Sequence, residues 1–438
     1  MRVALYTLGC KVNQFDTDII AQEFVKRGAQ IVPFNSEADI YVINTCAVTS
    51  KAAYQSRQMI RRALKQNPSA RVVATGCYVQ ADACAIFEKI STRLCLIGND
   101  RKYELVELSL QTPEGLECYV GDIFSCKKLI TPLLERPIKR TRAFLRIQDG
   151  CNAFCSYCIV PYTRGPSRSL PIDLVVKQIE ILIANEIKEI VFTGIHLGAY
   201  GLDLTPRVTL LDLLKRLIKD FSYRDVRIRL SSIEPSEISD ELIHIIKEER
   251  LFCPHFHIPL QSGSQKILSM MKRPYSAQQY EDLVLKIRQS IPSAAIGSDV
   301  LVGFPGESDE DFLKTYDLLL RLPVTYIHAF PFSPRPGTPA QGFSKKIPRK
   351  EKSRRVKVLR RLSIQKKEEF YKCFLGQRLN CLIESRIKDK KYLRATSENY
   401  IPVLIKKDAK VKKFVNKIVP LMLTSVEKDS VFGELICE

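Results

Sequence analysis

The sequence predicts an α/β protein in three parts: an N-terminal parallel α/β domain over residues 1–110, a central partial (β/α)6 barrel over 137–367 and a small C-terminal β-barrel over 370–438. Three observations carry the prediction. Strand and helix patterns alternate up to about residue 110, and repeated β-α-β units imply a parallel sheet. The alternation resumes from about 140 to 340 with six candidate strands, which suits an open barrel. The tail carries five short runs of strand composition, enough for a small barrel.

In the first part, Arg2–Leu8 reads as a strand, and about Asn13 to Arg27 as a helix whose apolar Phe15, Ile19, Ile20 and Phe24 recur at helical spacing until Gly28 stops it. Strand Ile40–Ile43, a basic helix from about Ser50 to Gln66, strand Val72–Thr75 and strand Leu94–Ile97 follow. Residues 111 to 137 contain Pro113, Pro132 and Pro137 and read as a linker or edge segment. The barrel strands are Ala143–Gln148, Ile190–Thr193, Val226–Ser231, His255–Leu260, Ile296–Val302 and Val324–Phe330, with helices near 171–185, 209–220, 236–248, 276–290 and 308–321. After the proline-rich exit Phe332–Ala340, a basic helix from about Arg349 to Tyr371 leads to strands Arg378–Glu384, Tyr392–Thr396, Ile401–Ile405, Ile418–Leu423 and Val431–Ile436.

The chemistry is concentrated in cysteines. Gln148 to Cys158 places Cys151, Cys155 and Cys158 with three and then two residues between them. Three thiolates so spaced can wrap one face of a [4Fe–4S] cube, which normally takes four cysteines. The next cysteine is Cys253, so one iron would stay open to an outside ligand, an arrangement for chemistry rather than plain electron transfer. Half a zinc site from Cys155 and Cys158, or three buried structural thiols, are the competing readings. A second triplet emerges from topology. Cys10, Cys46 and Cys77 each sit just past a predicted strand, and strands of a parallel sheet end on one edge, where ligands bind. They suggest a second three-cysteine cluster, against the alternative of core thiols that happen to end strands.

The cysteine loop of Cys151, Cys155 and Cys158, with Tyr157 before the third, resembles that of the radical S-adenosylmethionine (SAM) family. Leu8-Gly9-Cys10-Lys11-Val12-Asn13-Gln14, Asn44-Thr45-Cys46 and Thr75-Gly76-Cys77-Tyr78 resemble the N-terminal domain of the radical-SAM methylthiotransferases. The resemblance implies two [4Fe–4S] clusters, SAM chelated at the open iron of the first, and a second cluster that carries or relays sulfur. By the same resemblance Thr193 and Gly194 contact the methionyl amine of SAM, Ser232, Glu234 and Gln261 lie near its ribose and carboxylate, and Tyr157 lies against its adenine. Ser232 and Glu234 also read as caps of the helix starting near Ser236, and His196 as a donor or a structural histidine. His255 and His257, at strand spacing on one face, read as packing rather than metal ligands. Arg164 and Arg168 read as anion ligands or, more simply, as surface arginines.

Net charge is +20, and much of it lies late: residues 345–372 carry 13 Lys+Arg against 3 Asp+Glu, and residues 373–438 carry 13 against 8. A basic C-terminal third points to a polyanion, most simply nucleic acid, with a solvated helix face as the bland alternative. The tail, with Asn399-Tyr400-Ile401-Pro402-Val403, resembles the RNA-binding TRAM domain. No apolar run is long enough to span a bilayer and no signal-peptide pattern opens the chain, so a cytoplasmic protein without membrane contact is expected. Cys118 and Cys126 read as structural, and the sequence assigns no role to Cys84, Cys95, Cys253, Cys373, Cys381 or Cys437.

The resemblance implies transfer of a methylthio group to C2 of tRNA adenosine 37, with an electron donor such as flavodoxin or ferredoxin. Cys10–Gln14, Gly194-Ile195-His196-Leu197-Gly198 and His257–Gly263 look most like the branch acting on threonylcarbamoyladenosine. Isopentenyladenosine 37 and a ribosomal-protein aspartate are the alternative substrates. A non-enzymatic RNA-binding iron–sulfur protein is the alternative of another class.

Overall fold

The computed structural model describes residues 1–90, 94–111, 117–138, 141–384, 391–427 and 430–436; Pro113 and Cys437 lie outside them. Strands β1 (Arg2–Thr7), β2 (Gln30–Val32), β3 (Ile40–Thr45), β4 (Arg71–Gly76), β5 (Leu94–Ile97) and β6 (Glu117–Tyr119) form one parallel sheet in the order β2-β1-β3-β4-β5-β6. Its two faces separate by the period of two. Ile43, Val72 and Ala74 pack with Ala53, Ile60 and Ala63 of the helix Ser50–Gln66, while Val3, Val42 and Val73 pack with Ile20 and Phe24 of the helix Lys11–Lys26. The stretch read as linker or edge supplies the edge strand β6. Its Cys118 is exposed, so it does not hold the core together.

Strands β7 (Ala143–Arg146), β10 (Glu189–Thr193), β11 (Arg227–Leu230), β12 (His255–His257), β13 (Ala295–Val302) and β14 (Tyr326–Pro331) run parallel in an arc. A short antiparallel ribbon, β8 (Gln148–Asp149) with β9 (Arg168–Ser169), frames the cysteine loop. The arc's halves meet through isolated parallel bridges Ile228↔Phe252 and Ser232↔His257. Ile190, Phe192, Ile228, Leu230, Phe256, Val300 and Ile327 point outward into the largest core, under the flanking helices. The alternate residues, Glu189, Arg227, Arg229, His255, His257, Asp299, Tyr326 and His328, therefore line the lumen.

The tail closes into a barrel from β15 (Arg378–Glu384), β16 (Tyr392–Ser397), β17 (Pro402–Lys406), β18 (Ile418–Glu427) and β19 (Ser430–Leu435), ordered β15-β16-β17-β19-β18. It seats on the lumen. Arg227 donates to the carbonyls of Asn380 and Thr396, and Arg229 to those of Ser397 and Glu398. Part of the basic helix Arg349–Lys372 is structural: Arg355 is buried against Glu307, and Lys366 donates to the carbonyls of Leu320 and Leu322. Lys357, Arg360 and Arg361 remain exposed.

A buried charge network joins the first sheet to the arc. Asp16, on the helix after β1, meets Lys102 at 2.9 Å, Arg146 at 3.2 Å and Arg164 at 3.2 Å. Asp149 meets Arg146 at 2.8 Å and Arg164 at 3.1 Å. The reading of Arg164 and Arg168 as surface arginines is therefore corrected. Both are buried, and Arg168 donates to the carbonyl of Arg164. Burial works against the Asp16 charge, yet Lys102, Arg146 and Arg164 hold its carboxyl well below the usual range. A depressed carboxyl stabilises the fold above the unfolded value of about 4 and loses that contribution as pH falls. Asp16→Asn leaves three buried cations short of a partner, so a loss of about 3–5 kcal/mol is expected at pH 7 in denaturant titrations. The gap between wild type and variant should narrow toward pH 3.

Two cysteine triplets form the candidate active site

β1, β3 and β4 are neighbours in the sheet, and Cys10, Cys46 and Cys77 follow them directly. The residues around them tie the three loops together. Asn13 donates to the carbonyls of Leu8 at 2.8 Å and Thr45 at 2.9 Å, and its own side-chain oxygen receives Arg164. Thr45 Oγ1 donates to the Thr75 carbonyl at 2.6 Å. Gly9, at φ +97°, holds a backbone conformation that strains other residues, and a Cβ there would sit tightly, 3.0 Å from Cys46 Sγ. The glycine brings two of the thiol-bearing loops together. Cys10 is exposed by area although protein crowds it closely, the position of a thiol lining a cleft. Burial raises its pKa against the pull of Arg164, with Cys77 adding to the rise. Burial, then Cys77 and Cys10, push Cys46 to about 12.

The second triplet lies on the loop between β8 and β9. Its Cys151 N–H donates to the Gly165 carbonyl, beside Arg164 of the charge network. Burial, then Cys155 and Cys151, raise Cys158 to about 12. Crowded thiols of this kind would lose their protons to solvent on binding a metal centre, which neutralises the thiolate charge. Two side chains that sequence reasoning did not weigh stand against the loop. Arg273 donates to Cys155 Sγ at 3.2 Å and to the Glu234 carboxylate. Asn99 reaches Cys77 Sγ at 3.8 Å and the Thr163 carbonyl at 2.7 Å, spanning from one triplet's sheet to the other's loop. His196 Nδ1 lies 3.5 Å from Cys151 Sγ, and its Nε2 ion-pairs with Glu237 at 2.7 Å. Burial opposes its charge, but Cys151 and Glu237 outweigh burial and raise its pKa to about 10.

The candidate SAM contacts gather at the carboxyl ends of the strands. Thr193 ends β10, Ser232 follows β11, and Gln261 lies past β12 in the left-handed region at φ +61°. The hydroxyls of Thr193 and Ser231 are buried without a hydrogen-bond partner among the described residues, a state that a bound polar cofactor relieves. With three thiols beside them, these residues fit a cluster and SAM. Each of these residues also has neighbours within the protein. A Cβ on Gly194 would lie 2.9 Å from Gln148 Oε1, so this glycine makes room for Gln148. Glu234 makes no side-chain cap, being held by Arg273 instead. Tyr157 is part-buried against an apolar cluster containing Phe304 and Met271. The triad His257, Asp299 and His328 has ligand atoms close enough for a metal ion. His257 is also met by the Tyr326 hydroxyl at 3.1 Å.

Comparison with known proteins places this geometry. Residues 145–319 match the model of the radical SAM superfamily, and residues 2–98 that of the uncharacterized protein family UPF0004. The chain is 41% identical over 404 residues to a threonylcarbamoyladenosine tRNA methylthiotransferase of Aquifex aeolicus, covering 91% of this chain and 97% of the relative. It belongs to the radical-SAM methylthiotransferase family. A Bacillus subtilis member with the same description is 38% identical, covering 92% of this chain and 90% of that one. A tRNA-2-methylthio-N(6)-dimethylallyladenosine synthase of Acetivibrio thermocellus is 30% identical, covering 99% and 90%. Among solved structures, the radical SAM methyltransferase TsrM of Kitasatospora setae aligns over 78% of this chain and 75% of its own, with TM-score 0.58 at 15% identity, a likeness of fold alone.

Within this methylthiotransferase fold, Asn13 is the side chain on which the first triplet's loops depend. Asn13→Ala is expected to cost about 1–3 kcal/mol by leaving buried groups unpaired, measured by urea denaturation. Iron retained after reconstitution should fall toward that of a Cys46→Ala variant.

Proposed function

We propose that this chain inserts a methylthio group at C2 of N6-threonylcarbamoyladenosine 37 in tRNA. The carrying observation is that the elements bearing two cysteine triplets, far apart in sequence, are joined by the Asp16 and Asp149 network. Cys151, Cys155 and Cys158 hold one [4Fe–4S] cluster with SAM, and Cys10, Cys46 and Cys77 hold the other. When bound, these groups supply reductive SAM cleavage at the first site and the methylthio sulfur at the second. The protein's part is to bind, orient and exclude water. Arg273 fixes Glu234 beside Cys155, and Asn99 spans from Cys77 to the loop that follows the first cluster's cysteines.

A cleft of about 1160 Å³ opens a few residues past Cys46, between the helix Ser50–Gln66 and the barrel exit. Its lining includes Lys51, Tyr54, Phe330, Lys346, Arg349 and Arg360, cations and aromatics suited to phosphates and unstacked bases. Arg335 donates to the Ala47 carbonyl at 2.9 Å and so joins this cleft to the Cys46 loop. We assign residues 1–110 to the second cluster, 137–367 to SAM chemistry and 370–438 to RNA binding, with a flavodoxin- or ferredoxin-type donor supplying electrons in the cytoplasm. No helix among the described residues is long and apolar enough to cross a membrane. Identities of 31–41% to threonylcarbamoyladenosine enzymes, against 30–33% to dimethylallyladenosine enzymes, lean toward the choice of base.

Nucleoside mass spectrometry of tRNA from a deletion strain, with and without the gene restored, tests the reading. The 2-methylthio-threonylcarbamoyl nucleoside should disappear and return; loss of the isopentenyl product instead would overturn the substrate. Cys155→Ala should abolish SAM cleavage, whereas Cys46→Ala should keep 5′-deoxyadenosine formation and lose the methylthio product. Lys357→Glu with Arg360→Glu should weaken tRNA binding without changing which base is modified. The salt dependence of binding should become shallower, by roughly one unit of slope per lost phosphate contact.

A further inference from the structure

Lys11 follows Cys10 and is the first residue of the helix Lys11–Lys26, yet its ammonium does not stay with the first sheet. Its electrostatic neighbours are Tyr400 of the C-terminal barrel, Arg229 and Arg142 of the arc, and Asp299 of β13. It therefore reaches the lumen where all three parts of the chain meet. The other lumen charges are taken. Glu189 is shared by Arg142 at 3.5 Å, Arg227 at 2.7 Å and Arg229 at 2.9 Å. Asp299 is met by His257 at 3.0 Å and His328 at 3.3 Å. Among the described residues Lys11 has neither an ion pair nor a hydrogen bond.

Two further groups on the same wall lack partners. The Tyr400 hydroxyl has no hydrogen bond among the described residues, and Tyr400 itself is held at φ +69°, a conformation that costs energy in a bulky residue. His255 is 2% exposed, its ring centroid lies 4.5 Å from that of Tyr400, and its Nδ1 is buried without a partner. A free ammonium, a free hydroxyl and an unpaired imidazole nitrogen gathered in one lumen make a site for an oxyanion. Metal binding at His257, Asp299 and His328 is the weaker use of this wall, because Lys11, Arg142 and Arg229 oppose a further cation.

We propose that Lys11 and Tyr400 receive the carboxylate of the substrate nucleoside's N6 substituent, and so select threonylcarbamoyladenosine over an uncharged N6-alkyl adenosine. The inference rests on the reaction proposed above. Chain geometry supports it: Lys11 is bonded to Cys10, so the carboxylate would be held next to the cluster that must meet C2 of the same base.

The test uses the reconstituted holoenzyme and two anticodon stem-loops, one bearing the threonylcarbamoyl group and one its carboxamide. Wild type should prefer the carboxylate by about ten- to a hundred-fold in kcat/KM, the range of a charged hydrogen bond. Lys11→Met should turn over the two RNAs equally, its loss confined to the charged one. Tyr400→Phe, distant in sequence from every cluster cysteine, should reduce the preference several-fold at unchanged iron content, and it decides the matter if Lys11→Met disturbs the neighbouring cluster. Equal use of both RNAs by wild type, or an undiminished preference in Tyr400→Phe, overturns this site alone. Turnover of neither RNA by wild type overturns the reaction and the site together.

Discussion

The structure depends on a pair of buried carboxylates. Asp16 lies on a helix of the N-terminal domain and Asp149 in β8, yet they share Arg146 and Arg164, with Lys102 completing the set. Asp16 lies on the helix that starts behind Cys10, and Asp149 lies two residues before Cys151. One network therefore fixes both cysteine loops at once. Buried ion pairs add little net stability compared with apolar packing, but they tolerate no alternative arrangement without leaving a charge bare. Here that intolerance serves registry: the two elements can meet only where Asp16 and Asp149 both reach Arg146 and Arg164.

The C-terminal barrel takes part in the same logic. Arg227 and Arg229 spend one side of their guanidinium groups on Glu189 and the other on carbonyls of the tail. Tyr400, at the turn between β16 and β17, stacks near Arg229 and His255. A domain expected to hold RNA backbone thus also forms part of the lumen wall. If Tyr400 receives the substrate as proposed, RNA binding and base selection would be linked through one short turn.

The sequence made the six cysteines legible because their signal is local. Three lie within one loop, and the other three each end a strand of a β-α-β series, so topology alone brings them together. The strands and helices of the arc were likewise legible from apolar period. What stayed hidden depends on partners far away in the chain. Arg164 looks like a surface arginine until Asp16 is seen beside it, and Arg273 carries no local mark because Cys155 and Glu234 stand 118 and 39 residues away. Nor does the closeness of the Gln148 side chain to Gly194 show in any local pattern. β2, at three residues, is too short for any period to register.

The central claim is that the charge network holds two metal centres within one working space. The most direct measurement is electron paramagnetic resonance of the dithionite-reduced, reconstituted protein, compared with Cys46→Ala and Cys155→Ala proteins that each retain one centre. The account predicts a wild-type spectrum broadened or split by magnetic interaction between the centres, and sharp single-centre spectra from the two variants. A wild-type spectrum equal to the sum of the variants' spectra would contradict it, because the two triplets would then hold centres too far apart to act on one base.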